Sequence, residues 1–194
     1  MTPAFLHDMA EMSRSAGVDR RAPDVGVLAV EVVDGTGRVS AEDLGWLRAK
    51  AVEAAGVLGC VGQMAVRLID DQEMSGAHDR FCGIAGTTDV LTFDLGDGTG
   101  RSERGRKIID ADVLACVDEA TRQAAARGIA VREELLLYIL HGVLHCLGYD
   151  DHDEDAFSRM HACEDEVLRA IGVGGVFSMA RRDETGEQPG SGKE

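Results

Sequence analysis

Apolar positions along the chain fall into short β-branched runs and longer stretches with helical spacing. Val25 to Val33 is rich in valine and lies between Asp24 and the turn-like Asp34-Gly35-Thr36-Gly37, which predicts a buried strand. Ser40 opens a helix. Its hydroxyl suits the free amides of a first turn, Glu42 and Asp43 suit the positive helix end, and Leu44, Leu47, Ala51 and Ala55 follow on one face. Gly56 and Gly59 punctuate its end. Met64 to Ile69 predicts a second strand, followed by a short acidic helix from Asp71 to Phe81 that Gly83 stops. Thr88 to Phe93, with β-branched and aromatic residues, predicts a third strand.

Ile108 to Val117 predicts a fourth strand that runs into a helix from Asp118 to Ala126, closed by Gly128. From Arg132 to Cys146 the leucines and isoleucines leave almost no polar face, the pattern of a buried helix. A last helix spans Glu154 to Ile171 and ends at Gly172. No internal repeat is present, and strands precede most of the helices. These features predict an α+β fold: a single domain, a four-stranded mixed sheet and about five helices, with a site at the end of the buried helix.

The ends read differently. Residues 1–22 are polar without sustained periodicity and are expected to be flexible, residues 23–180 to form the domain, and residues 181–194 to be a disordered tail. Between Asp94 and Lys107 the run Gly96-Asp97-Gly98-Thr99-Gly100-Arg101 resembles a phosphate cradle. No Gly-Lys-Ser/Thr follows and no helix opens behind it, so a plain loop is expected.

Composition narrows the function. A length of 194 residues with 44% hydrophobic content suffices for one core. The net charge of −15 argues against tight nonspecific binding of nucleic acid, although a local basic groove is compatible with it. Five scattered cysteines without a Cys-x-x-Cys pair read as reduced thiols of a cytoplasmic protein. The N-terminal segment carries Asp8 and Glu11 and no long apolar run, so neither a secretory signal nor a membrane span is expected.

Chemistry concentrates at the end of the apolar helix. His141 and His145 are four residues apart, so their rings lie on nearly one face about 6 Å apart along the axis, in reach of one metal ion. Gly148 supplies the residue able to reverse the chain, which lets His152 swing back as a third ligand. Three imidazoles with a fourth position for water form the pattern of a catalytic zinc site, expected to hold one Zn²⁺ per chain. An apolar helix would not otherwise keep two polar rings on one stripe. Cys146 points about 100° away from His145 and reads as a core thiol. His7, His78 and His161 lack such spacing and read as surface residues.

The stretch His141-Gly142-Val143-Leu144-His145-Cys146-Leu147-Gly148-Tyr149-Asp150-Asp151-His152 resembles the signature of the YbeY family of zinc-dependent endoribonucleases, also called rRNA maturation factors. Thr88-Asp89-Val90-Leu91-Thr92-Phe93 resembles that family's Thr-Asp-Val-Leu-Ser-Phe strand, and Ile109-Asp110-Ala111-Asp112-Val113 its Gly-Asp/Glu-Ile strand start. The likeness runs from about Val25 to Gly172. Two departures stand out. The family puts five residues between the second and third histidines, whereas six separate His145 from His152 here, and strict spacing would put Asp151 at the third position. A carboxylate also binds zinc, but a turn after Gly148 absorbs one residue, and His152 is taken as the ligand. The family also carries an arginine where Cys82 stands, and the nearest one here is Arg80, two residues away and rotated by about 200°.

The resemblance implies cleavage of single-stranded RNA in maturation of small-subunit rRNA and in ribosome quality control. RNA and the small ribosomal subunit or its assembly factors are the implied partners, with Arg80 as the catalytic cation on phosphate. Arg101, Arg104 and Lys107 would steer RNA if Arg80 faces away. A zinc metalloprotease shares the His-x-x-x-His pattern, but its general base is a glutamate after the first histidine, where this chain has Gly142. The remaining alternative is a non-catalytic ribosome-assembly factor with a structural zinc.

Overall fold

Strands and helices follow the expected order in the computed structural model, which describes residues 26–96 and 106–175. The elements are β1 (Leu28–Asp34), α1 (Ala41–Leu58), β2 (Cys60–Ile69), α2 (Asp71–Cys82), β3 (Val90–Asp94), β4 (Lys107–Cys116), α3 (Val117–Arg127), α4 (Val131–Cys146) and α5 (Glu154–Ala170). The expected flexible segment 1–22, the tail 181–194 and most of the glycine-rich loop, with Arg101 and Arg104, lie outside the described residues.

The sheet order is β1-β2-β4-β3. β1, β2 and β4 run parallel, and β3 pairs antiparallel with β4 at the edge. This is the expected four-stranded mixed sheet of an α+β fold, with five helices.

Alternation along β4 sorts the core into two faces, because successive side chains of a strand point to opposite sides. Ile109, Ala111, Val113 and Ala115 join the large core beneath α1, α4 and α5. Leu114 and Cys116 join a smaller cluster with Ile69, Phe93 and the α2 residues Met74 and Ala77. Helix α4 is surrounded by the large core, with Leu135, Leu136, Ile139, Leu140 and Leu144 fully buried, in line with its all-round hydrophobicity.

Local chemistry fixes the helix starts. The side chains of Ser40, Asp70 and Asp153 accept from the backbone amides of Asp43, Glu73 and Ala156. One strand begins earlier than its sequence suggests. β2 starts at Cys60 rather than Met64, with Gly62 inside the strand. That glycine has φ 118°, and a Cβ there would lie 2.1 Å from the Ile109 carbonyl oxygen on the neighbouring strand. Only glycine fits that approach.

A milder restriction holds at Gly142, inside α4, where the atom in the way is a side-chain hydroxyl and the backbone is helical. A Cβ on Gly142 would meet Thr92 Oγ1 of β3 at 2.4 Å. The glycine therefore sets how closely the histidine-bearing helix approaches the sheet edge.

Candidate metal centre

Helix α4 carries His141 and His145 one turn apart near its C-terminal end. Their Nε2 atoms are 3.0 Å apart. Each ring is held from behind by an acceptor. Glu164 Oε1 lies 2.8 Å from His141 Nδ1, and the Tyr149 carbonyl lies 3.3 Å from His145 Nδ1. A carbonyl and a carboxylate accept here, so each Nδ1 carries its proton, and in the neutral ring the lone pair is left on Nε2, where a metal would take it.

The chain then reverses. Gly148 has φ 84°, and the amide of Tyr149 donates back to Leu144 O at 3.0 Å. This turn brings Asp151 Oδ2 to 3.7 Å from His141 Nε2 and 4.0 Å from His145 Nε2. Ligand atoms around a tetrahedral zinc with bonds of about 2.0–2.1 Å lie about 3.3 Å apart. His141, His145 and Asp151 are therefore close to a cation-binding geometry, and two lone pairs and a carboxylate form a donor set suited to a divalent metal.

His152 is not drawn into that group. Its side chain is 87% exposed, with Nδ1 3.5 Å from Asp150 Oδ1 and 3.6 Å from Asp151 Oδ1. It belongs instead to an outer group with Asp150 and Asp151. Residue type favours His152 for the third place, whereas the folded turn brings the preceding residue within reach of the pair.

His141 and Asp151 line an open cleft of about 520 Å³, whose walls also include Thr88, Asp89, Arg127, Tyr138 and His161. Burial opposes the charged form of His141, but the bonded Glu164 carboxylate outweighs it and holds the ring above its ordinary pKa. Glu134 is fully buried and pairs with Arg127 Nη1 at 2.6 and 2.7 Å, yet burial still pushes its pKa up against that cation. Burial, followed by the charge of Asp94, pushes the Cys146 thiol up to about 12, in keeping with a core thiol.

Arg80 stands apart from the cleft walls. It is exposed on α2, with its guanidinium 5.5 Å from the centre of the Phe81 ring. The arginine among the described cleft residues is Arg127, to which the sequence assigns no role, and Glu164, in an acidic run that reads as a solvated face, is instead fully buried. His161, expected at the surface, has a side chain only 13% exposed and lines the cleft. A signal for Glu164 was present in the sequence. It falls on the stripe of α5 that buries Met160, Val167 and Leu168, where an acid needs a partner.

Among known proteins, a family model described as Endoribonuclease YbeY matches residues 40–172. A protein of that name from Macrococcus caseolyticus is 30% identical over 150 residues, covering 76% of this chain and 97% of the relative. Relatives of the same name from Acidothermus cellulolyticus and Thermobifida fusca are 34% and 35% identical, covering 57% and 56% of this chain and 71% of each relative. The solution structure of TM1509 from Thermotoga maritima aligns over 85% of this chain and 99% of its own, at 23% identity and a TM-score of 0.47. With the family match spanning most of the described fold, including the histidine-bearing helix and the turn behind it, the chain belongs to the endoribonuclease YbeY family.

Proposed function

We infer that this chain is a zinc-dependent endoribonuclease that cleaves single-stranded RNA, acting in small-subunit rRNA maturation and ribosome quality control. The observation that carries the reading is the convergence of His141 Nε2, His145 Nε2 and Asp151 Oδ2 at the wall of an open cleft. The names of the relatives, all endoribonucleases, supply the reaction class.

His141, His145 and Asp151 would hold the ion, a two-imidazole, one-carboxylate set of a kind zinc accepts. Asp151 is preferred to His152 because its oxygen already lies within 4.0 Å of both imidazoles while the His152 ring is turned to solvent. Bound zinc would supply Lewis acidity toward a phosphoryl oxygen or an activated water at neutral pH. The protein's own part is to orient: Glu164 and the Tyr149 carbonyl fix the two rings, and the cleft walls position the strand.

Electrostatics tie substrate binding to the ion. The cleft is lined by Asp89, Glu119, Glu134, Asp151 and Glu164, against Arg127, which Glu134 already engages. Such walls repel phosphate unless a cation is bound. The protease alternative loses further ground at Gly142, because a glutamate side chain there would begin with a Cβ against Thr92.

The test is to incubate the protein with single-stranded RNA, duplex RNA and casein, with and without chelator. Cleavage of single-stranded RNA that chelator stops and zinc restores is expected, as is its loss in His145→Ala. Chelator-sensitive cleavage of casein alone would overturn the reading. Mapping small-subunit rRNA ends in cells lacking the protein tests the cellular role, with accumulation of unprocessed ends expected.

A further inference from the structure

Behind the metal centre, Glu164 of α5 is fully buried, and both of its oxygens are used. Oε1 accepts from His141 Nδ1 at 2.8 Å, and Oε2 accepts from His161 Nδ1 at 2.5 Å. One carboxylate thus holds two imidazoles, one in the ligand group and one on the cleft wall. The second ring is fixed on another side too: Phe157 packs against His161 edge-on, with centroids 4.0 Å apart and planes at 88°. Phe157, His161, His141 and Asp151 all line the same cleft.

We propose that Glu164 is a positioning residue that orients two imidazoles at once, His141 toward the metal and His161 toward the bound RNA strand, and that His161 contacts that strand. The proposal rests on the reading of the cleft as a metal-dependent nuclease site.

The chemistry follows from what a carboxylate can do. An ionised carboxylate donates nothing, so both Nδ1 atoms bonded to it carry protons. For His141 this fixes the tautomer whose Nε2 lone pair faces His145 and Asp151, and the negative charge behind the ring makes that nitrogen a stronger ligand. For His161 it places the Nε2 edge of the ring on the side away from the acid. A buried acid packed beside Met160, Val167 and Leu168 is costly unless paired, and here its partners are two rings of one cleft. A role confined to pinning α5 onto α4 would call for one such pair. It would not require the second ring to be part of the cleft wall.

Two variants separate these roles. Glu164→Gln keeps the shape but puts an amide group opposite one Nδ1. Its zinc affinity, measured by chelator competition, is expected to fall roughly ten- to a hundredfold. The absorption spectrum of the cobalt-loaded protein should shift with it, while the metal-free melting temperature moves by only a few degrees. His161→Asn retains a donor toward Glu164 and removes Nε2. It should bind zinc within about threefold of the parent, yet lose roughly tenfold or more in kcat/KM on single-stranded RNA. If Glu164→Gln fails to fold, His161→Asn decides alone, with unchanged zinc affinity and lost cleavage upholding the proposal. Zinc affinity within about twofold of the parent in a folded Glu164→Gln, or kcat/KM within about twofold in His161→Asn, overturns it. A parent that binds no zinc overturns the reading of the site as well, so the two failures are distinguishable.

Discussion

Asp151 and His152 are chain neighbours, and one peptide unit decides which of them meets the histidine pair. Asp151 Oδ2 lies 3.7 and 4.0 Å from the two Nε2 atoms, whereas His152 is turned to solvent beside Asp150. Residue type argued for the histidine, since imidazole is the commoner zinc ligand in such motifs. The turn argues for the aspartate, because Gly148 and the Tyr149 to Leu144 hydrogen bond fix where the chain reverses. Asp151→Ala should therefore weaken zinc binding by roughly a hundredfold or more, beyond the range typical of residues behind the ligands. His152→Ala should stay within about threefold. Chelator competition on the two purified variants measures both, and a larger loss in His152→Ala would return the third position to the histidine. The two helical histidines were legible from their spacing alone. The approach of Asp151 rather than His152 to that pair was not, because spacing across a turn depends on backbone dihedrals that residue names do not state.

At the scale of elements, the position of the histidine pair depends on how closely α4 lies against β3. Gly142 and Thr92 set that distance, and Thr92 Oγ1 is itself a buried oxygen without a hydrogen-bond partner among the described residues. Gly142→Ala is expected to destabilise the protein by about 1–3 kcal/mol through overpacking, despite alanine's better helix propensity. Thr92→Ala removes the atom the new Cβ would strike and should recover most of that loss in the double variant. A cycle measured by urea unfolding would then show coupling of about 1 kcal/mol or more, and simple additivity would rule out the close contact. The sequence displayed Gly142 only as the absence of a protease's glutamate. Its structural reason needed the partner strand. Elsewhere the elements were well marked, since the cap at Ser40 and the stops at Gly83 and Gly128 depend on local chemistry. The early start of β2 was hidden because Gly62 is required by contact with β4, a long-range feature.

Across the whole molecule, the excess of acid acts in two opposing ways as pH falls. The net charge is −15 at pH 7 and the isoelectric point is about 4.7, so acidification first relieves self-repulsion and should raise the melting temperature of the chelator-treated protein. A second effect then takes over. Asp71 accepts two bonds from Arg122, which holds its pKa down to about 2, and Arg38 likewise lowers that of Asp118. Asp118 also accepts from the amide of Asp71, so this cluster ties the starts of α2 and α3 to the turn after β1. A carboxylate whose folded pKa lies below its unfolded value, about 4 for aspartate, contributes stability that is complete above that value. The contribution is lost as pH drops toward the folded value, here between about 4 and 2. These groups are partly exposed, so solvent and salt screen each contribution. The melting temperature should therefore rise from pH 7 toward about 5 and fall between about 4 and 2, with a smaller acid-side fall in Arg122→Ala. An unchanged acid limb in that variant, followed by differential scanning calorimetry at low salt, would place the acid sensitivity elsewhere in the molecule.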